Sequence, residues 1–212
     1  MFRQRIRVRY SIGGDKRFLS HHDVMRLWHR ALRRSGLPLR MTEGFHVRQR
    51  VSFALARGVG IASAAEWLEI ELSDWVSPET VHRKLAGQLP ADLAIQEIRV
   101  VSPGDRANVC QAAYDIRLAE VPADLDGRIA DLLARATLPV PRGRPTEQRQ
   151  LDIRPLLVSL QRRDGTLLAV TTCRNEGSIR PEELLTALGF APDAVARSLV
   201  TRTAVQLADD AR

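Results

Sequence analysis

The residues with the greatest chemical reach sit close together: His21, His22 and Asp23, followed by Arg26, Arg30, Arg33 and Arg34. A histidine in the first turn of a helix is placed to act as a general acid or base. It is equally placed to contact a phosphate that the helix N-terminus attracts. His21 is the candidate for either role. Asp23 has two readings, one orienting the imidazole and one capping the helix. The arginines are spaced four, three and one residues apart, so Arg26, Arg30 and Arg33 or Arg34 share one helix face. No acid separates them, and such a stripe suits a row of phosphates. Further on, Thr42-Glu43-Gly44-Phe45-His46 with Arg48 and Arg50 offers cations and one aromatic ring for base stacking. The other reading of that run is a hairpin turn with Phe45 folded into the core. With Lys16 and Arg17 upstream, the expected RNA contacts are Lys16, Arg17, His21, His22, Arg26, Arg30, Arg33, Arg34, Arg48 and Arg50.

The charge distribution supports this placement. Residues 1–57 carry fourteen Arg and Lys against three acids, a net of +11, while the other 155 residues carry a net of −4. A basic end on a mildly acidic remainder points to a polyanionic partner. Other chemistries find no footing in the sequence. There is no phosphate-binding glycine loop, no dinucleotide fingerprint and no nucleophile elbow. Cys110 and Cys173 stand apart without CxxC spacing, so no metal and no cofactor are expected, and both read as buried free thiols. No apolar run approaches a membrane span, and a cytoplasmic location without membrane contact is expected.

These residues need elements to hold them. Residues 3–10 alternate, with Arg3, Arg5, Arg7 and Arg9 on one side and Ile6, Val8 and Tyr10 on the other, the pattern of a half-buried strand with a basic outer face. Ser20 opens a helix whose apolar stripe is Val24, Leu27, Trp28, Ala31 and Leu32, and Gly36 ends it. Residues 39–41 and 50–56 follow as extended segments, then an alternating strand over 66–72. Trp67 and Trp75 are expected in the core or at a domain face. Ser77-Pro78 starts a second helix running to about Leu89, and residues 94–101 close a sheet.

The order then repeats. Strand 112–118 and helix 125–136 are followed by a loop from Pro139 to Gln150. Strands 151–161 and 167–174 turn about Asp164-Gly165, and helix 180–188 and strand 199–207 complete the set. The expected fold class is α+β: two tandem ferredoxin-like (β-α-β-β-α-β) domains with antiparallel sheets, over 1–101 and 109–208, joined by a linker at Ser102–Asn108.

Several runs carry a family resemblance. Phe18-Leu-Ser-His-His-Asp-Val-Met-Arg26, Arg30-Ala-Leu-Arg-Arg34 and Leu37-Pro38 resemble the opening of the radical-SAM-linked family of unknown function. Gly44-Phe45, Ser52-Phe53-Ala54, Gly58-Val-Gly60, Glu66, Asp152-Ile-Arg-Pro155 and Gly177-Ser-Ile-Arg-Pro-Glu-Glu-Leu-Leu185 continue it. The resemblance implies a protein encoded beside, or fused to, a radical-SAM protein, often near genes for an RNase E/G-type ribonuclease and ribosomal proteins. This chain differs from the pattern at His22 and in the run His46-Val-Arg-Gln-Arg50, where the family tends to have prolines. It lacks the CxxxCxxC run of the radical enzyme itself. The expected function is a non-catalytic RNA-binding accessory of a separate radical-SAM protein, acting on RNA or a ribosome-linked substrate. The alternatives are a metal-independent endoribonuclease resembling those that process CRISPR RNA, with His21 catalytic, and a protein-binding adaptor.

Overall fold

The structure, a computed structural model, describes residues 4–143, 149–174 and 177–211. The fold is α+β, its chain dividing into two compact units, residues 1–109 with 207–212 and residues 110–206.

In the first unit, β1 (Gln4–Ile12) pairs antiparallel with both β3 (Ala62–Leu72) and β4 (Leu93–Val101), and β2 (Val51–Phe53) adds to β3. The strand order is β4-β1-β3 with β2 beside β3. Helices α1 (His21–Arg34) and α2 (Pro78–Ala86) share one core with the sheet: Ile6, Val8, Tyr10, Leu68, Ile70 and Leu72 from the strands meet Trp28, Leu32, Val81 and Leu85 from the helices. Alternation in the strands and a three-to-four period in the helices put these side chains on facing surfaces. Ser20 caps α1 by accepting the Asp23 N–H, and Gly36 turns the chain at φ +64°. Helix α2 ends at Ala86, three residues before the expected end, since residues 87–89 form a turn.

The other side of β1 departs from expectation. Arg5 and Arg7 are buried at 8% and 0% exposure, not displayed as a basic outer face, and Arg3 lies outside the described residues. The register explains this. Arg5 stands opposite Glu71 and Arg7 opposite Glu69, so the acids of β3 meet the cations of β1 rung by rung. Arg5 Nη2 donates to Glu71 at 2.7 Å, and Arg7 Nε and Nη2 donate to one Glu69 oxygen at 3.1 and 2.9 Å. Arg7 Nη1 donates to Asp209 at 2.5 Å. Burial works to lower the Arg7 pKa, but its bonds to Asp209 and Glu69 outweigh it and leave the group above its ordinary value. On the next rung the Arg9 and Arg99 guanidiniums lie 5.9 and 4.7 Å from the Trp67 ring. Trp67 is buried, whereas Trp75 is 65% exposed and packs in no core.

The expected linker, Ser102–Asn108, is fastened to the first unit: Arg5 Nη1 donates to the Asp105 carbonyl at 2.7 Å. Arg57 fastens another loop. Its guanidinium donates to the carbonyls of Arg17, Leu19, Gly58 and Ile61.

In the second unit the strand order is β10-β5-β9-β8, built from β5 (Val109–Arg117), β8 (Leu157–Arg163), β9 (Thr166–Thr172) and β10 (Leu199–Leu207). Strand β9 is antiparallel to β5 and β8, with Asp164 at φ +53° in the turn. Helices α3 (Leu125–Ala134), α4 (Pro181–Ala187) and α5 (Pro192–Arg197) complete it. Three local readings change. The expected loop at 139–150 has paired ends, β6 (Pro139–Arg142) with β7 (Arg149–Asp152), an isolated ribbon that tolerates proline; its residues 144–148 lie outside the described set. The expected strand 151–161 breaks at a 3-10 turn over Arg154–Leu156, where Pro155 has no N–H to give a ladder. There Asp152 accepts the Leu138 and Arg154 N–H groups. Cys110 and Cys173 are free and half-buried, and the Cys173 N–H donates to the Cys110 carbonyl at 2.8 Å. Burial pushes the Cys173 thiol up. Among the described residues, no helix is long and apolar enough to cross a membrane.

Candidate functional site

The core stripe of α1 fixes what its other side presents. With Val24, Trp28, Ala31 and Leu32 turned inward, His22, Arg26, Arg30 and Arg33 are exposed on the far side. Arg26 pairs with Asp23 at 3.1 Å, one turn back. Arg34 leaves the stripe: it donates to the side chain and carbonyl of Gln88 at 3.1 and 2.8 Å, tying α1 to the end of α2. Arg30 and Arg33 form no ion pair among the described residues.

Asp23 is engaged as part of the cap. Ser20 Oγ donates to its Oδ2 at 2.6 Å and Arg26 donates to its Oδ1. The Ser20 and Arg26 bonds hold its carboxyl below the usual carboxylate range. His21 is half-buried, its ring edge-on to Phe53 at 5.6 Å, and the His22 ring lies 6.3 Å away. Lys16 and Arg17 sit in a 3-10 turn over Gly14–Phe18, where the Arg17 guanidinium stacks 4.7 Å from the exposed Phe18 ring.

The segment after α1 is a strap pinned to β3. Leu39 bridges Leu72, the Arg40 N–H donates to the Glu71 carbonyl, and Met41 bridges Gln49. At the strap's turn, Thr42 N–H donates to the Arg48 carbonyl at 2.7 Å and Thr42 Oγ1 accepts the Arg48 N–H at 2.9 Å. Gly44 at φ +102° lets the tip reverse. These bonds close the base of the turn and leave its tip in solvent. Phe45 is 105% exposed, so it does not fold into the core as the hairpin-turn reading expects. His46, Val47 and Arg48 are exposed beside it.

Between α1 and the strap, within the first unit, lies a cleft of 370 Å³. Of the residues expected from sequence it collects Arg48 and Arg50; the others stand elsewhere. It also collects His29, Gln49 and Arg106, which sequence reading did not single out, and Arg5, which it placed on the outer face of a strand. His29 Nδ1 lies 2.7 Å from Gln49 Oε1, which joins helix to strap. That contact engages Nδ1 and leaves Nε2 as the other ring nitrogen. The signal for His29 was its helical position, between the apolar stripe and the arginine face. Glu69 and Glu71 stand at the cleft's base, but each already has partners, Arg7 for one and Arg5 and Arg40 (2.9 Å) for the other. Arg50 Nε is buried without a hydrogen bond, 3.9 Å from Glu71. Among the described residues, no cluster of three or more His, Cys, Asp or Glu is arranged to hold a metal.

Residues 5–181 match the family described as an uncharacterized protein conserved in bacteria (DUF2344). No curated protein matches the chain.

Proposed function

Because the chain belongs to this family of uncharacterized bacterial proteins, we propose a function from the site itself: the protein binds single-stranded RNA through the strap tip and the outer face of α1. The observation that carries this reading is Phe45, an aromatic ring held fully in solvent on a turn closed at its base, with Arg48 beside it. An exposed ring offers a face on which a nucleobase stacks while its phosphates meet nearby cations. Exposed Arg30 and Arg33, without carboxylate partners among the described residues, extend the phosphate track. The strand order of each unit, fourth-first-third with the second beside the third, supports reading both as ferredoxin-like. The resemblance of residues 18–26 and 177–185 to the radical-SAM-linked family supports a role as accessory to a separate radical-SAM protein acting on RNA or a ribosome-linked substrate.

Fluorescence anisotropy with labelled single-stranded RNA, titrated across salt concentrations in EDTA, tests the reading. Replacing Arg30 and Arg33 together by Ala weakens binding for all sequences. It also flattens the salt slope by roughly 0.7 for each lost phosphate contact. Absence of salt-dependent binding by the wild-type protein refutes it. Discrete cleavage products in EDTA instead favour the nuclease alternative.

A further inference from the structure

The cleft between α1 and the strap is lined by residues that the outer face of α1 does not include. Its walls combine two chemistries. Arg5, Arg48, Arg50 and Arg106 make its lining cationic. Met25 and Val51 add apolar surface and Gln49 an amide. The two acids at its base are spoken for. Arg7 holds Glu69 through two hydrogen bonds to a single oxygen, and Arg5 and Arg40 hold Glu71 from two sides. Arg48 and Arg106 line the cleft as exposed residues with no carboxylate bonded to them among the described residues, and Arg50 Nε, 3.9 Å from Glu71, is buried without a hydrogen bond. His29 adds a ring nitrogen, since Gln49 takes only Nδ1.

A cavity with excess positive charge, apolar surface and an amide is chemically matched to a ligand with an anionic end and a planar heterocycle. At 370 Å³ it is too large for a bare oxyanion and falls at the lower end of the range for small-ligand sites, about 300–1,000 Å³. Guanidiniums bind phosphate oxygens in a bidentate manner, and an amide pairs with a base edge. We infer that this cleft binds one nucleoside monophosphate unit, its phosphomonoester between Arg48, Arg106 and His29 and its base against Met25 and Val51. The unit has two sources, a free mononucleotide or the phosphorylated end of an RNA strand. The inference needs the cleft alone, not the RNA track on the outer face of α1.

Histidine-labelled protein titrated with AMP, adenosine or inorganic phosphate provides the test, followed by NMR at fixed pH. The His29 ring signal is assigned from His29→Gln. AMP is expected to move that signal and to bind at least about tenfold more tightly than adenosine or phosphate, because only AMP engages both chemistries. Arg48→Gln and Arg106→Gln, both at exposed positions that the fold tolerates, are each expected to weaken AMP roughly tenfold. A His29 signal unmoved by about 1 mM AMP overturns the inference, as does unchanged affinity in both Arg variants. Competition then separates the sources. If 5′-phosphorylated RNA displaces AMP and 5′-hydroxyl RNA does not, the ligand is a strand end; if neither displaces it, the ligand is the free nucleotide. AMP binding retained where RNA anisotropy shows no association leaves the cleft standing and removes only the RNA track.

Discussion

Two side chains with opposite surroundings mark the extremes of the first unit. Phe45 touches solvent all round, so its replacement costs the fold little. If it is a stacking platform, Phe45→Ala lowers affinity for single-stranded RNA by about 1–3 kcal/mol while the urea midpoint stays in place. Anisotropy and denaturation on the same sample distinguish that from a structural role. Arg57 is the reverse, at 6% exposure with its guanidinium bonded to four carbonyls from residues 17–19 and 58–61. Arg57→Ala leaves those acceptors without donors and is expected to cost about 3 kcal/mol in urea denaturation. Arg57→Lys recovers little, because a point ammonium cannot reproduce the fork. The sequence marks Phe45 as either exposed or buried and cannot choose, since the choice turns on Thr42 closing the base of the loop. It gives no sign of Arg57 at all: one arginine among many, its role set by where a loop's carbonyls converge.

At the scale of elements, helix α1 was legible nearly to the residue, because Ser20, the apolar stripe and Gly36 each mark it locally. The strand β1 was legible as a strand, but its face was not. Alternating arginines look like a solvated edge until Glu69 and Glu71, some sixty residues away, are known to stand opposite. Pairing is a long-range choice that no local window holds. The same pairing makes a prediction. Arg7 is fully buried, and Glu69→Ala leaves its Nε and Nη2 without acceptors while Asp209 keeps Nη1, so the change is expected to destabilise the protein by about 1–3 kcal/mol. The paired change Arg7→Met with Glu69→Leu is expected to recover much of that loss, read as the shift in urea midpoint. The ribbon β6–β7 and the short helix α5 escaped the sequence for a related reason, being brief elements whose prolines read as loop.

On the scale of the whole chain, residues 207–212 group with the first unit although 97 residues of the second separate them from it. Among the contacts that fasten them are Asp209 on Arg7 and the Ala208 N–H on the Asn108 carbonyl. Partial burial works to raise the Asp209 pKa, but its hydrogen bonds from Arg7 and from the backbone outweigh that and hold it low. A carboxyl lowered by folding stabilises above its unfolded pKa, near 3.9, and that contribution disappears as pH falls through the folded value. Asp209→Asn is therefore expected to be less stable than wild type at pH 7, with the difference closing as pH drops below about 4, measured as urea midpoints along a pH series. The bond also has a history in time. Arg7 and Asp209 are 202 residues apart, and a chain grows at about 5–20 residues per second, so roughly 10–40 s pass between their synthesis. Throughout that interval Arg7 is paired with Glu69 alone, its Nη1 still without the carboxylate it holds in the finished protein. A ribosome stalled short of residue 209 therefore carries a first unit whose Arg7 lacks its second partner, and Asp209 is the late arrival that completes the pair.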